Sequence, residues 1–205
     1  MTAPPLIHIV DDDDALRTAL QRLLTAAGLR VQAYASAGEF LLAPPAGAPG
    51  CLLLDLQMPG PSGLQLQQAL VRHGIALPVI FLSGHGDLAS GVQAMKAGAV
   101  DFLTKPVARE PLLEAIARAL QADAQRRAAR AADGELQARY TQLSRREREV
   151  FELVAAGRLN KQIAAALGIA ERTVKAQRAQ VMNKLGAANA AELGRIAAQL
   201  HPRGG

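Results

Sequence analysis

The sequence predicts an α/β domain on a five-stranded parallel sheet of strand order 2-1-3-4-5, followed by a small all-α domain. Three observations predict it. Short apolar runs alternate with amphipathic segments over residues 1–120. From residue 141 onward the pattern is helical throughout. The charge divides in the same place: residues 1–120 carry eight Lys/Arg against ten Asp/Glu, a net of −2, whereas residues 121–205 carry fifteen against eight, a net of +7. Two modules with different partners are expected, the basic one suited to nucleic acid.

The predicted strands are "LIHIV" (6–10), "LRVQAYA" (29–35), "CLLLDL" (51–56), "PVIFLS" (78–83) and "DFLT" (101–104). Three of them are almost uniformly apolar, as strands covered on both faces are. Between them Leu16, Leu20, Leu23, Leu24 and Ala27 fall at helical spacing, as do Leu64, Leu66, Ala69 and Leu70, and then Val92, Met95 and Lys96 with Ala99 following. A further Ala- and Arg-rich helix runs from Glu110 to Ala132, with Pro111 in its first turn and Asp133-Gly134 as the expected break. Residues 121–140 read as the end of this helix and a polar linker. Half the residues are hydrophobic, so cores can be built, yet no apolar run is long enough to span a membrane. The N-terminal residues lack the pattern of a secretory signal, and Cys51 is the only cysteine, so a cytoplasmic location without internal disulfides is expected.

Ligands of such sheets sit beyond the carboxyl ends of the strands. There the sequence places Asp11 and Asp12 after the first strand, Asp55 at the end of the third, Ser83 at the end of the fourth and Lys105 after the fifth. At about 4 Å a like-charge pair costs on the order of 4 kcal/mol at an effective dielectric of 20. Three clustered carboxylates therefore call for a cation, and a hard divalent ion such as Mg2+ takes oxygen ligands. Lys105 would offset more charge, and the Ser83 hydroxyl would donate to an added anionic group. This set suits in-line attack of a carboxylate on phosphorus. Asp55, alone in an apolar strand, is the best candidate nucleophile, because a charge there is costly unless used. Asp13 and Asp14 read instead as the acidic start of a helix. Asp87 and Asp101 read as a cap and a turn, and His85 as a loop residue. Gly60 and Gly63 are expected to allow turns that other residues resist.

The pieces "IVDDD", "LLLDLQMPGPSGL", "FLSGHGD" and "MKAGAVDFLTKP", in this order and spacing, closely resemble the flavodoxin-like receiver domain of two-component response regulators. The resemblance implies that Asp55 accepts a phosphoryl group from a sensor histidine kinase, with slow autodephosphorylation. It implies that Asp12 binds Mg2+ directly, Asp11 through water or as a second acid, and that Asp55 and the Gln57 backbone carbonyl complete the protein ligands. Ser83 would bond the phosphoryl group and shift inward, Phe102 would swing between exposed and buried states, and the Lys105–Pro106 bond would be cis.

In the basic module, Ser144 and Glu147 stand at capping-box spacing and Asn189 is a plausible N-cap. "NKQIAAAL" and "ERTVKAQRAQVMNKL", joined across Gly168, fit a helix-turn-helix with Ile163, Ala164, Leu167, Val174, Val181 and Leu185 inward. Lys175, Ala176, Gln177, Arg178 and Ala179 then face outward on the second helix, where base edges are met. Lys161, Arg172, Thr173 and Lys184 suit phosphates, and Asn160 completes the candidate DNA-binding set. The stretch from "LSRREREVFELVAAG" to "AANAAEL" closely resembles the LuxR-type DNA-binding domain, and the whole chain the FixJ/NarL regulators, on the FixJ-like side. Departures are Ala170 at a capping position, Gln177 in place of a common His, and Leu159 before Asn160. A missing cap typically costs about 1 kcal/mol.

The expected division is a receiver over 1–120, a helical linker over 121–140 and a DNA-binding domain over 141–205. The expected function is a regulator of transcription, not an enzyme acting on diverse phosphate esters: such an enzyme needs a second acid two residues after its nucleophile, where this chain has Gln57. Expected partners are the kinase, promoter DNA, RNA polymerase and, on activation, a second copy pairing through Val92, Met95, Lys96, Ser83 and Phe102. No membrane partner is expected.

Overall fold

The computed structural model describes residues 4–42, 44–45, 47–84 and 88–201. Its strands are β1 (Leu6–Val10), β2 (Arg30–Tyr34), β3 (Gly50–Asp55), β4 (Val79–Ser83) and β5 (Asp101–Thr104). All neighbours pair in parallel, in the predicted order β2-β1-β3-β4-β5. The chain divides into two compact units after Arg127, and each is described by itself.

In the first unit the sheet is covered on both faces, and alternation along each strand decides which residue meets which layer. Ile7, Ile9, Cys51, Leu53, Ile80 and Leu82 pack with Leu20 and Leu24 of α1 (Asp14–Ala26) and with Leu112, Ile116 and Ala119 of α5 (Arg109–Thr141). On the other face, Val10, Leu52, Leu54 and Phe81 pack with Phe40 of α2 (Ala37–Leu42), Leu66 and Leu70 of α3 (Gly63–Arg72), and Ala94 of α4 (Leu88–Lys96). The short α2 has too few turns to show a period, and the apolar runs around it do not announce it.

His8 lies on that second face, where a strand residue is expected to be apolar. It is 2% exposed. Its ring stacks on Tyr34 at 5.9 Å, meets Phe40 edge-on at 5.6 Å, and its Nδ1 is 3.3 Å from the Tyr34 hydroxyl. Burial lowers its pKa from 6.5 to about 4. The folded unit thus holds a neutral imidazole, while the unfolded chain takes up a proton at higher pH. Stability from this group is full above pH 6.5 and is lost as pH falls through about 4, a total of up to about 3 kcal/mol. Urea unfolding of the wild type and of His8→Phe across this range should show a steeper pH dependence in the wild type. Identical slopes would remove His8 as the cause.

Asp123 is also buried, although the sequence reads it as part of a linker. Its carboxylate accepts from the Gly50 N–H at 3.1 Å and from Arg126 and Arg127, each at 2.6 Å. Arg127 donates onward to the carbonyls of Gly47 and Ala48. The stretch of α5 that carries Asp123 and Arg127 is thereby tied to the start of β3.

The expected break at Asp133-Gly134 does not occur: α5 runs unbroken from Arg109 to Thr141. A helix-interior glycine costs about 1 kcal/mol relative to alanine, and the Ala-rich flanks are good helix formers. Asp133 accepts a hydrogen bond from Gln199. Asp101 is likewise not in a turn. It opens β5 and pairs with Arg118.

The second unit holds α6 (Arg145–Ala155), α7 (Asn160–Leu167), α8 (Glu171–Leu185) and α9 (Ala190–Leu200). Val150, Phe151, Ile163, Val174, Val181, Leu185 and Leu193 form its core. The Ser144–Glu147 capping box and the Asn189 cap are present. Gly168 takes the left-handed conformation, φ 64°, that ends α7 and lets the chain turn into α8. Neither Leu159 nor Ala170 caps its helix with a side chain, although the Leu159 N–H is satisfied by Gln162 Oε1 at 2.9 Å.

Candidate functional site

Parallel register carries the strand-end residues to one edge. Ser83 stands opposite Thr104, and the Lys105 N–H donates to the Ser83 carbonyl at 2.7 Å. Asp55 ends β3 beside Leu82, and Asp11 follows β1. The loop after β1 is fixed locally. Asp13 caps α1 by accepting from the N–H groups of Ala15 and Leu16, at 2.9 and 3.1 Å. Its own N–H donates to Asp11 Oδ1 at 3.0 Å, and Arg17 donates to the Asp11 carbonyl at 2.7 Å. Asp14 sits in the first turn and pairs with Arg17. Four consecutive aspartates therefore separate into two for the helix and two for the pocket.

The third wall depends on Gly63. A side chain there would start 2.3 Å from the Asp55 carbonyl oxygen, so α3 approaches β3 this closely only with glycine. Close approach is its role, whereas Gly60, φ 84°, supplies the left-handed turn.

Asp11, Asp12 and Asp55 each offer a carboxylate oxygen within 4.8 Å of the others. Asp11 and Asp55 are buried and Asp12 is exposed, so the pocket opens on one side. Lys105 Nζ lies 2.7 Å from Asp11 Oδ2 and 3.0 Å from Asp55 Oδ2. The Gln57 N–H donates to Asp55 Oδ1 at 3.3 Å, which brings that backbone to the same corner. Lys105–Pro106 is cis.

One ammonium serving two carboxylates leaves the charges unequal. Burial alone would lower the Lys105 pKa, but hydrogen bonds and charge from Asp11 and Asp55 outweigh it and raise the value. For Asp55, burial raises the pKa, Lys105 draws it down, and the neighbouring Asp11 charge pushes it up again, with a net rise. The lysine is firmly charged while Asp55 ionises at a cost. Asp11 Oδ2 is buried and lies within ion-pair distance of the Lys105 ammonium. Three carboxylates offering hard oxygen donors within 4.8 Å of one another, with only one ammonium between two of them, fit a small divalent cation.

Ser83 is buried at this edge. Phe102 is half-buried, packs on the core and lies against Gly91 of α4. Val92 and Met95 are 46% and 47% exposed, and Lys96 is exposed beside them, so the outer side of α4 is an open apolar face. His85 and Asp87 lie outside the described residues.

In the second unit, Lys161, Arg172, Lys175, Ala176 and Ala179 are exposed and Thr173 is half-exposed. Gln177 is more inward than its sequence position implies, with its amide oxygen covered by protein. Arg178 donates to Asn160 Oδ1 at 2.6 Å. Lys184 is held at 2.7 Å by buried Glu147, whose carboxyl this contact and the Ser144 backbone draw below its ordinary pKa. Arg158, exposed just before α7, lies outside any helix, where periodicity gives no signal.

A doubly wound sheet with an acid pocket and a paired lysine at its switch point, joined to a helix-turn-helix, defines a class of signalling regulator. Residues 7–117 match the response regulator receiver domain, and residues 141–197 match the bacterial regulatory proteins of the luxR family. The chain belongs to the FixJ-like two-component response regulators. It is 44% identical over 195 residues to nodulation protein W of Bradyrhizobium diazoefficiens, covering 95% of this chain and 86% of that one. It is 43% identical over 194 residues to the transcriptional regulatory protein FixJ of Azorhizobium caulinodans, covering 93% and 90%. Among solved structures, response regulator StyR superposes with TM-score 0.82 at 42% identity, over 96% of this chain and 100% of that one. Full-length FixJ from B. japonicum gives 0.60 at 37% identity over 100% of both. No helix among the described residues is long and apolar enough to cross a membrane.

Proposed function

We propose that this response regulator is switched by phosphorylation of Asp55 and that the switch controls pairing of two copies and binding to promoter DNA. The observation that carries the reading is the Lys105 ammonium shared at 2.7 and 3.0 Å between Asp11 and Asp55, with Asp12 completing the cluster. Asp11, Asp12, Asp55 and the Gln57 carbonyl would hold Mg2+, which when bound neutralises carboxylate and phosphoryl charge. An Asp55 oxygen attacks the phosphorus of a sensor kinase phosphohistidine. The new O–P bond forms as the P–N bond breaks, and the leaving imidazole takes up a proton. Lys105 balances charge on the transferred group, and Ser83 donates its hydroxyl to a phosphoryl oxygen. Autodephosphorylation is the slow attack of water on the same adduct.

The functional division is a receiver over 1–120, a linker over 121–140 and a DNA-binding domain over 141–205, in a cytoplasmic regulator that also meets RNA polymerase. Phosphorylation adds roughly two negative charges and new acceptor oxygens beside Ser83. Phe102 and the open face of Val92, Met95 and Lys96 then pair with a second copy. The half-exposure of Val92 and Met95 supports this, since such a face is apolar enough to be worth covering. On DNA, Lys161, Arg172 and Thr173 contact phosphates and Lys175, Ala176, Gln177 and Ala179 approach base edges. Gel filtration with and without beryllofluoride and Mg2+, together with affinity for a duplex that the chain enriches from a random pool, tests the coupling. The expected result is a doubled apparent mass and tighter binding. If both are unchanged, the coupling fails.

A further inference from the structure

The two helices of the helix-turn-helix begin without side-chain caps, at Leu159 and Ala170. Helices of 8 and 15 residues with uncapped starts fray at their first turns unless something else holds them. Three basic side chains tie the helices of the second unit together, and one of them, Arg178, reaches such a start. Arg146 of α6 reaches the Leu167 carbonyl at the end of α7. Lys184 of α8 reaches Glu147 of α6. Arg178, in the middle of α8, donates to the side-chain oxygen of Asn160, the first residue of α7, at 2.6 Å across 18 residues of sequence. Both Asn160 and Arg178 are half-buried. By contrast, Arg158, Lys161, Arg172 and Lys175 are exposed and have no ion pair or side-chain hydrogen bond among the described residues.

We propose that Arg178 and Asn160 act as one positioning unit: the bond between them fixes the start of α7 against the recognition helix, so Arg178 serves DNA binding through Asn160 and neutralises no phosphate. This rests on the reading of the second unit as the DNA-binding module. A hydrogen bond to a charged group is among the stronger ones, and guanidinium geometry makes it directional. The exposed start of α7, carrying Lys161, is thereby held in register with Arg172 and Lys175 on α8. The exposed cations Arg158, Lys161 and Arg172 remain for phosphates.

The full chain tests this with Arg178→Ala, Asn160→Ala, the double variant and Arg178→Lys. Affinity for the enriched duplex is measured against salt, well below unfolding, where a merely structural loss leaves affinity unchanged. Each single alanine variant should bind roughly tenfold more weakly. The double should bind no more weakly than the worse single, because the pair is broken once. The salt dependence should keep its slope in all of them. Arg178→Lys should behave like Arg178→Ala, since it restores charge but not the planar bond. A slope reduced by about 0.9 in Arg178→Ala alone, with additive losses, is the mark of a phosphate contact and overturns the proposal. Amide exchange of α7 decides the pair independently of DNA. Non-additive loss of protection supports the unit, and additive or absent loss overturns it. If the wild type binds no duplex, the DNA-binding reading fails while the exchange cycle still tests the pair.

Discussion

Asp55→Asn should form no phosphoryl adduct with acetyl phosphate and Mg2+, whereas the wild type should form one per chain, both read by intact mass. The loss is complete because an amide oxygen is not a nucleophile toward phosphorus under these conditions. The same variant should be more stable than the wild type in metal-free buffer. Burial raises the Asp55 pKa in the folded state, Lys105 offsets this in part, and Asp11 adds to it. A carboxyl with a raised folded pKa contributes stability that is full below its ordinary range and is lost as pH rises through the folded value. At neutral pH the charge is therefore a burden that asparagine lacks, and the melting temperature rises. Adduct formation at the wild-type level would remove Asp55 as the acceptor, whereas a lower melting temperature would contradict only the electrostatic account.

Lys105→Met should have the largest effect on stability. Its ammonium is the one cation within ion-pair distance of Asp11 and Asp55 among the described residues. Removing one partner of a buried pair and leaving the other costs about 3–5 kcal/mol. Here two carboxylates are left, so the receiver should unfold at markedly lower urea in metal-free buffer, and Mg2+ should restore part of the loss by replacing the missing charge. Phosphoryl acceptance should slow by roughly 100-fold or more, the usual scale for losing one stabilising charge at a reacting centre. Unfolding midpoints equal to wild type without Mg2+ would show that the cluster tolerates its own repulsion.

The sheet was legible because it rests on period and uniform apolarity. "LIHIV", "CLLLDL" and "PVIFLS" can be buried on both faces and fit little else. The pocket was legible because each of its groups stands where a strand ends, and parallel pairing brings strand ends together. What stayed hidden depends on partners distant in sequence. Asp123 looks like a solvated linker acid until Gly50, Arg126 and Arg127 surround it. Lys184 and Arg178 look like free cations until Glu147 and Asn160 engage them. Gly63 reads as a turn residue, yet its role is to let Asp55 come close. Asp133-Gly134 reads as a stop, but a local penalty of about 1 kcal/mol does not end a helix flanked by alanines.

The aromatic cluster around His8 has a practical consequence. The chain has no tryptophan and two tyrosines. Tyr34 is buried in the first unit beside His8 and Phe40, and Tyr140 lies in the second, edge-on to Phe151 with Arg148 over its ring. The tyrosine absorbance, emission and dichroism of this protein therefore come from one residue per unit. Replacing either tyrosine by phenylalanine leaves an optical label confined to the other, so the melting of each unit can be followed separately in the intact chain without attaching a dye.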